Sequence, residues 1–182
     1  MHNINRNAPI REVSQNFMPQ IAHSNYFTYL LRNDRPDAMA WMEGNDKHKN
    51  IKGVVKFYSV PSGGVLVEVE VTGLPDHYDG EGSGFYAFHI HEKGDCGNNF
   101  ADTGNHYNPE GVPHPLHAGD MTTLMATNGY SWMAFYDGRV SVREIIGRSV
   151  IIHERADDFT TQPSGNAGNK IACGVIRAAR QR

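Results

Sequence analysis

The stretch from Val65 to Val71, VLVEVEV, decides the fold class of this chain. Apolar residues alternate with glutamates along most of it, which is typical of a β-strand with one buried face and one face in water. Segments on either side have a similar character. IKGVVKFYSV at Ile51–Val60 and FYAFHIH at Phe85–His91 are rich in β-branched and aromatic residues. We therefore expect antiparallel β-structure around this stretch.

The chain from Ala38 onward continues this pattern. Asn128-Gly129, a dipeptide favoured in tight type I′ hairpins, separates two further segments of strand character. No segment shows a convincing helical period, so the sequence predicts an all-β domain. The eight predicted strands are Ala38–Glu43, Ile51–Val60, Val65–Val71, Phe85–His91, Met121–Thr127, Tyr130–Tyr136, Arg148–His153 and Lys170–Arg177.

Three other segments differ from the strands. Glu92–Asp120 and Glu154–Asn169 are long, polar and rich in glycine, asparagine and proline. Long loops of this kind inside a compact domain are usually functional or disordered. Residues 1–35 are rich in asparagine and glutamine and lack strand alternation. We predict an N-terminal extension at residues 1–35 and one domain at residues 36–182.

The composition excludes several function classes. The chain has 182 residues and a formal net charge of −3, with no basic run, so we expect no nucleic-acid partner. No apolar run approaches the roughly 18 residues that a membrane-spanning helix needs, so we expect no membrane association. The first residues, MHNINRNAPIREVSQNF, lack the apolar core of a secretory signal. Either the protein is made for the cytoplasm or a leader has been removed, and of these two we expect a cytoplasmic location.

The two cysteines, Cys96 and Cys173, have two interpretations. Composition alone favours two buried thiols, the usual state in a reducing compartment. The alternative is one long-range disulfide that closes a loop of 77 residues (173 − 96). The pattern of residues leaves this choice open.

Six of the ten histidines lie between positions 89 and 153. His89 and His91 are two residues apart on a predicted strand, so their side chains point to the same face. Two imidazoles in this arrangement can bind one metal ion. His153 ends another predicted strand and could join them through sheet pairing.

The loop Glu92–Asp120 supplies a second group of metal ligands. Its pattern is H-x7-H-x2-H-x2-D, formed by His106, His114, His117 and Asp120. Three imidazoles and one carboxylate suit a closed, tetrahedral zinc site. Each histidine taken alone fits a solvated loop residue, but the whole set favours metal binding. Imidazole-rich sites without thiolate suit copper, zinc, iron or nickel, and spacing alone does not choose among them.

Five strings, in this order along the chain, resemble the copper–zinc superoxide dismutase family. They are FHIHEKGDC (88–96), GNHYNPEG (104–111), HAGD (117–120), GRSVIIHERADD (147–158) and GNAGNKIACGVI (165–176). The resemblance covers the chain from Ala38 to Arg177. It implies an eight-stranded Greek-key β-sandwich or flattened barrel with two long functional loops. It also implies an antioxidant enzyme that dismutes superoxide to dioxygen and hydrogen peroxide.

The resemblance also implies which residues bind metal, with one copper and one zinc per chain. The implied copper ligands are His89, His91, His106 and His153. The implied zinc ligands are His106, His114, His117 and Asp120. His106 would bridge the two ions and would carry a proton to the product as a general acid.

Further residues take roles that the resemblance implies. Asp157 would hydrogen-bond His89 and His114 and so fix the orientation of both rings. Cys96 and Cys173 would form the family's intrasubunit disulfide. Superoxide would be the small-molecule partner, and the family is often homodimeric.

The chain departs from the family pattern in three places. Lys170 occupies the position of an arginine beside the copper, which keeps the charge and loses the rigid donor fork. We therefore expect activity with weaker orientation of the anion, and we assign Lys170 and His106 as the catalytic residues. Only two residues separate His114 from His117, and the loop Glu154–Asn169 holds no lysine. We expect only modest electrostatic steering by this loop.

Two alternative functions follow from the same residues. A dismutase-like module could carry copper or zinc without turnover, and the loss of a copper ligand would favour it. An enzyme that uses copper alone would lack the zinc ligands. Candidates for all the copper and zinc ligands are present, which favours the two-metal enzyme.

Overall fold

The computed structural model describes residues 18–33, 35–76 and 84–179. The chain divides into two compact units, Met1–Asp34 and Arg35–Arg182. Residues 1–17 and 34 of the predicted extension lie outside the described residues, and the assignment of residues 1–35 as an extension stays a prediction.

The first unit contains an α-helix, α1, at Met18–Asn33. The sequence shows no convincing helical period here, so this helix is an element that the sequence analysis missed. Alanine, glutamine, leucine and arginine are good helix formers, and the proline falls in the first turn, where a missing N–H costs nothing. The apolar residues are not gathered on one stripe, so the 3.6-residue period is weak in this sequence. None of the helices in the described ranges is long and apolar enough to cross a membrane.

The second unit is mostly β-structure. A curled antiparallel sheet forms a half-barrel in which neighbouring strands follow the order β5-β8-β9-β1-β2-β3-β7, with β10 also paired to β1. Strands β4 and β6 form a separate two-stranded ribbon. The strands are β1 Ala38–Gly44, β2 Lys52–Ser59, β3 Val65–Thr72, β4 Phe85–Tyr86, β5 Phe88–His91, β6 Leu124–Met125, β7 Ser131–Asp137, β8 Ser149–His153, β9 Lys170–Val175 and β10 Arg177–Ala178.

The predicted all-β fold class is confirmed, although some boundaries differ. The predicted strand Phe85–His91 divides at Ala87, whose N–H donates to the carbonyl of Arg155 instead of to a neighbouring strand. The segment Lys170–Arg177 divides in the same way at Ile176. A short helix, α2 at Val142–Ile145, is an element that periodicity misses because a single turn shows no period.

Strand β3 has one face in the core of the domain. Its four valines at positions 65, 67, 69 and 71 are fully buried in the core cluster. Full burial of each such side chain stabilises the fold by about 1.5–3 kcal/mol. On the opposite face, the carboxylate of Glu68 is covered as well and accepts hydrogen bonds from Lys56, Tyr58 and Trp132.

A second, smaller cluster lies on the outer face of the sheet and contains Phe100, Ile151 and Cys173. Cys173 forms a disulfide with Cys96, with Cα atoms 5.9 Å apart. The disulfide implied by the resemblance is therefore confirmed, and the preference for free thiols from composition alone was wrong. The bond fixes the loop that follows β5 to strand β9, so this loop covers the outer face.

Candidate metal centre

Strands β5 and β8 place three histidines on one face. His89 lies opposite Ile151 and His91 lies opposite Ser149 in the antiparallel pairing. Directly opposed residues point to the same side of a sheet, so both imidazoles share the outer face with Ile151. His153 follows Ile151 by two residues and lies beside a β-bulge, a feature that re-aims side chains. The residues between them, such as Ile90, face the core.

The loop after β5 returns twice to the same strand. Tyr107 N–H donates to the carbonyl of Ile90 at 2.8 Å, and Ile90 N–H donates to the carbonyl of Gly119 at 2.9 Å. These contacts bring His106 opposite His91 and Asp120 opposite His89. A Cβ at position 119 would collide with the carbonyl oxygen of Ile90, so the close approach requires glycine.

The structure brings all the predicted metal ligands together in two groups. In each group the potential ligand atoms lie within 4.8 Å of one another, and every residue is buried. His106 belongs to both groups. The first group contains His89, His91, His106 and His153, and the second contains His106, His114, His117 and Asp120.

Hydrogen bonds to carbonyls fix the tautomers of two histidines in the first group. His91 Nδ1 donates to Gly104 O at 2.9 Å, and His153 Nδ1 donates to Gly168 O at 3.1 Å. A carbonyl only accepts, so each ring proton sits on Nδ1 and each Nε2 carries a lone pair. The two Nε2 atoms lie 3.3 Å apart. This separation matches the edge of a tetrahedron with metal–nitrogen bonds of about 2.0 Å.

The same reasoning applies to the second group. His114 Nε2 donates to Asp157 Oδ1 at 2.9 Å, so its Nδ1 carries the lone pair. That Nδ1 atom lies 2.9 Å from Asp120 Oδ2, and His117 Nδ1 lies 3.3 Å from the same oxygen. Neither nitrogen has a hydrogen-bond partner among the described residues. A lone pair facing a carboxylate oxygen is repulsive unless a cation lies between them, so the group fits a metal ion.

His106 connects the two groups through its two ring nitrogens. Its Nδ1 lies 2.7 Å from Asp120 Oδ1, on the side of the second group. Its Nε2 is buried and has no hydrogen-bond partner within the described ranges. The ring centroid lies 4.0 Å from that of His89. One imidazole can therefore serve both groups.

Asp157 joins the two groups from behind. Its carboxylate accepts from His89 Nε2 at 2.7 Å, from His114 Nε2 at 2.9 Å and from Phe159 N–H at 2.7 Å. Burial alone would raise the pKa of this carboxyl, but the hydrogen bonds from His89, Phe159 and His114 outweigh it and lower the pKa to about 2. Gly165, with φ of +68°, leaves room for this arrangement, because a Cβ there would collide with Asp157 and His114.

Three histidines of the first group, His89, His91 and His153, are neutral at physiological pH because their pKa values are lowered. Burial is the largest cause, and it lowers the pKa of His89 to about 4 and that of His153 to about 3. Burial also lowers the pKa of His91 well below its usual value. The neutral imidazole is the form that binds a metal ion.

A cavity of about 440 Å³ opens onto the first group. Its lining includes His91, His106, His153 and Lys170. Lys170 Nζ donates to Thr103 Oγ1 at 2.7 Å, to Gly104 O at 3.0 Å and to Phe100 O at 3.2 Å. An ammonium group has three N–H donors, so these contacts engage all of them. Any anion in the cavity would therefore be attracted by the charge of Lys170 and not by a free N–H donor.

Sequence reasoning missed the carbonyls of Gly104 and Gly168, which fix the tautomers of His91 and His153. A backbone carbonyl gives no signal in residue type. Both glycines have positive φ and stand in two of the strings, GNHYNPEG and GNAGNKIACGVI, that resemble the family. Those strings were the only feature of the sequence that could have indicated these two carbonyls.

Comparison with known proteins agrees with this geometry. The sequence profile of copper/zinc superoxide dismutase (SODC) matches residues 51–176. Superoxide dismutase (Cu-Zn) A of Xenopus laevis is 36% identical over 142 residues, which cover 70% of this chain and 89% of that protein. The extracellular Cu-Zn superoxide dismutase of Drosophila melanogaster is 36% identical over 164 residues, covering 80% of this chain and 87% of that protein.

Two further matches are a copper chaperone and a solved structure. The copper chaperone for superoxide dismutase of Homo sapiens is 32% identical over 139 residues, covering 69% of this chain and 48% of the chaperone. This chain therefore spans about half the length of that chaperone. The crystal structure of the clock protein EA4 superposes with a TM-score of 0.68 and 36% identity, covering 79% of this chain and 96% of EA4. The profile match spans more than half of the sequence and includes the metal-binding groups. This chain belongs to the copper/zinc superoxide dismutase family.

Proposed function

We propose that this chain dismutes superoxide to dioxygen and hydrogen peroxide at a copper ion. The proposed copper ligands are His89, His91, His106 and His153. The proposed zinc ligands are His106, His114, His117 and Asp120, with one ion of each metal per chain. The observation that carries the proposal is the position of His106, which offers one ring nitrogen to each group.

The side chains divide the chemistry between them. Copper, when bound, supplies one-electron oxidation and reduction of superoxide. His91 and His153 keep their Nε2 lone pairs free because Nδ1 of each ring donates to a carbonyl. His106 Nε2 can take a proton and give it to the reduced product while Nδ1 stays on the side of Asp120. One residue thus couples the metal position to proton delivery.

Access and attraction of the anion depend on the cavity. Superoxide is small and negatively charged, and the cavity leads to the first group past the ammonium of Lys170. A positive charge in a low-dielectric cleft raises the local concentration of an anion. We assign Lys170 to this role, with its N–H donors engaged by the loop.

A copper-carrying role is the second candidate, because one relative is a copper chaperone for superoxide dismutase. The complete set of histidines in the first group favours turnover over transfer. The homodimer and the cytoplasmic location stay predictions, and the relatives include dismutases that are named extracellular.

The His153→Ala variant tests the enzyme proposal. His153 belongs to the first group alone, so its loss should abolish most copper-dependent activity and leave zinc content unchanged. Superoxide decay and metal content are measured for the wild-type and variant proteins after loading with both metals. A variant with the wild-type rate would contradict the copper assignment, and a loaded wild-type protein without activity would favour the carrier.

A further inference from the structure

The turn at residues 117–120 carries two of the proposed zinc ligands, and Arg139 holds it from outside. Arg139 Nη1 donates to the carbonyl of His117 at 3.3 Å, and Nη2 donates to the carbonyl of Asp120. The same guanidinium donates to both carboxylate oxygens of Asp137, from Nε at 3.0 Å and from Nη2 at 2.8 Å. Asp137 is buried at the end of β7.

A guanidinium is a rigid planar fork, so it can bind two partners in a fixed relation. Here it links the end of β7 to the first and last residues of the turn 117–120. On the other side, Gly119 N–H donates to Tyr107 O at 2.8 Å, and the carbonyl of Gly119 accepts from Ile90 N–H. The turn is thus fixed from two directions, by β5 and by Arg139.

The cation is well suited to hold backbone carbonyls. The hydrogen bonds to Asp137 are the largest cause that raises the pKa of Arg139 above its ordinary value, so it stays charged. The two carbonyls that it binds belong to His117 and Asp120, whose side chains are members of the second group. Without the guanidinium, the carbonyl of Asp120 would lose its donor and that of His117 would keep only the Asp120 N–H at 3.1 Å, so the turn could rotate His117 and Asp120 out of position.

We propose that Arg139 is a positioning residue for the zinc group, which holds the turn 117–120 in its metal-binding shape before the ion arrives. The proposal rests on the assignment of zinc to this group and is independent of the reaction with superoxide. Groups that orient metal ligands typically change metal affinity by about 10- to 100-fold.

The test is a titration of the metal-free protein with Zn²⁺, in the absence of copper and in competition with a chromophoric chelator. We expect Arg139→Gln to bind zinc about 10- to 100-fold more weakly than wild type. Arg143→Gln is the matched control, because Arg143 is an exposed arginine in α2 and the charge change is the same. We expect the control to keep the wild-type zinc affinity.

Arg139→Gln also leaves the buried carboxylate of Asp137 without its cation. This unpaired charge destabilises the fold independently of any effect on zinc binding. The double variant Asp137→Asn, Arg139→Gln removes that charge. We expect thermal unfolding of the metal-free double variant to lie closer to wild type than that of Arg139→Gln, while zinc affinity stays weak.

Wild-type zinc affinity in either Arg139 variant would overturn the proposal. Recovery of zinc affinity in the double variant would assign the effect to the unpaired carboxylate of Asp137 and would overturn it as well. A wild-type protein that binds no zinc would remove the zinc assignment together with the role of Arg139. Failure of the superoxide assay alone would leave both intact.

Discussion

Replacing Asp157 with asparagine tests whether one carboxylate supports both metal groups. The carboxylate accepts hydrogen bonds from His89 and His114 on its two oxygens, and Phe159 N–H shares the oxygen used by His114. Asparagine has a single acceptor oxygen, and its NH₂ group only donates. One of the two imidazole N–H groups would therefore face another donor.

The size of the effect follows from this lost contact. A hydrogen bond to a charged group contributes about 1.5–3 kcal/mol to stability. If the imidazole can no longer keep its metal-binding tautomer, the same energy is lost from metal binding. At about 1.4 kcal/mol for each factor of ten, at least one of the two metals should bind about 10- to 100-fold more weakly.

Competition with chelators measures zinc and copper affinity separately for Asp157→Asn. Asp158→Asn is the matched control, because the neighbouring Asp158 is exposed and its carboxylate binds only Thr160 and Thr161 among the described contacts. Both variants remove one negative charge. If both affinities of Asp157→Asn stayed within about threefold of wild type, or if the control fell equally, the supporting role of Asp157 would be refuted.

Three further predictions concern stability and rate. The metal-free protein should lose stability as the pH falls below 6.5, because His89 and His153 resist protonation in the folded state down to about 4 and 3 while the unfolded chain takes up protons. Each histidine lowers the free energy of unfolding by about 1.4 kcal/mol for each pH unit. Urea unfolding at several pH values measures this, and a free energy of unfolding that does not change with pH would contradict it. Lys170→Arg should raise the superoxide rate of the loaded enzyme, since arginine has donors to spare for the anion, and an equal or lower rate would show that the lysine is sufficient. Replacing Cys96 and Cys173 by serine should lower the free energy of unfolding by about 2–5 kcal/mol, and unchanged urea unfolding would count against the role of the disulfide.

Local spacing predicts part of the metal centre because strand geometry is local. His89 and His91 share a face as a direct result of the pleat. The alternation of β3 places its buried valines on one face and its glutamates on the other, although Glu68 is covered instead of facing water. The proximity of His153 depends on which strands pair, and the proximity of His106 depends on a loop that returns to β5. Neither can be derived from spacing, and here the resemblance to a family supplied the expectation.

Other features have no local signal at all. The carbonyl of Gly104 fixes the tautomer of His91 without any distinctive side chain. Arg139 reaches the turn 117–120 from a segment about 20 residues away along the chain, so only the folded structure shows the contact. Helix α1 escapes a periodicity search because its apolar residues do not form one stripe.

The number of superoxide molecules consumed per bound copper tests the central claim most directly. The protein is loaded with copper and zinc, its metal content per chain is measured, and superoxide is then supplied in large excess. The account predicts one copper and one zinc per chain and continuous decay of superoxide over many turnovers for each copper. Consumption that stops after about one superoxide per copper, or that never exceeds the zinc-only protein, would contradict a dismutase.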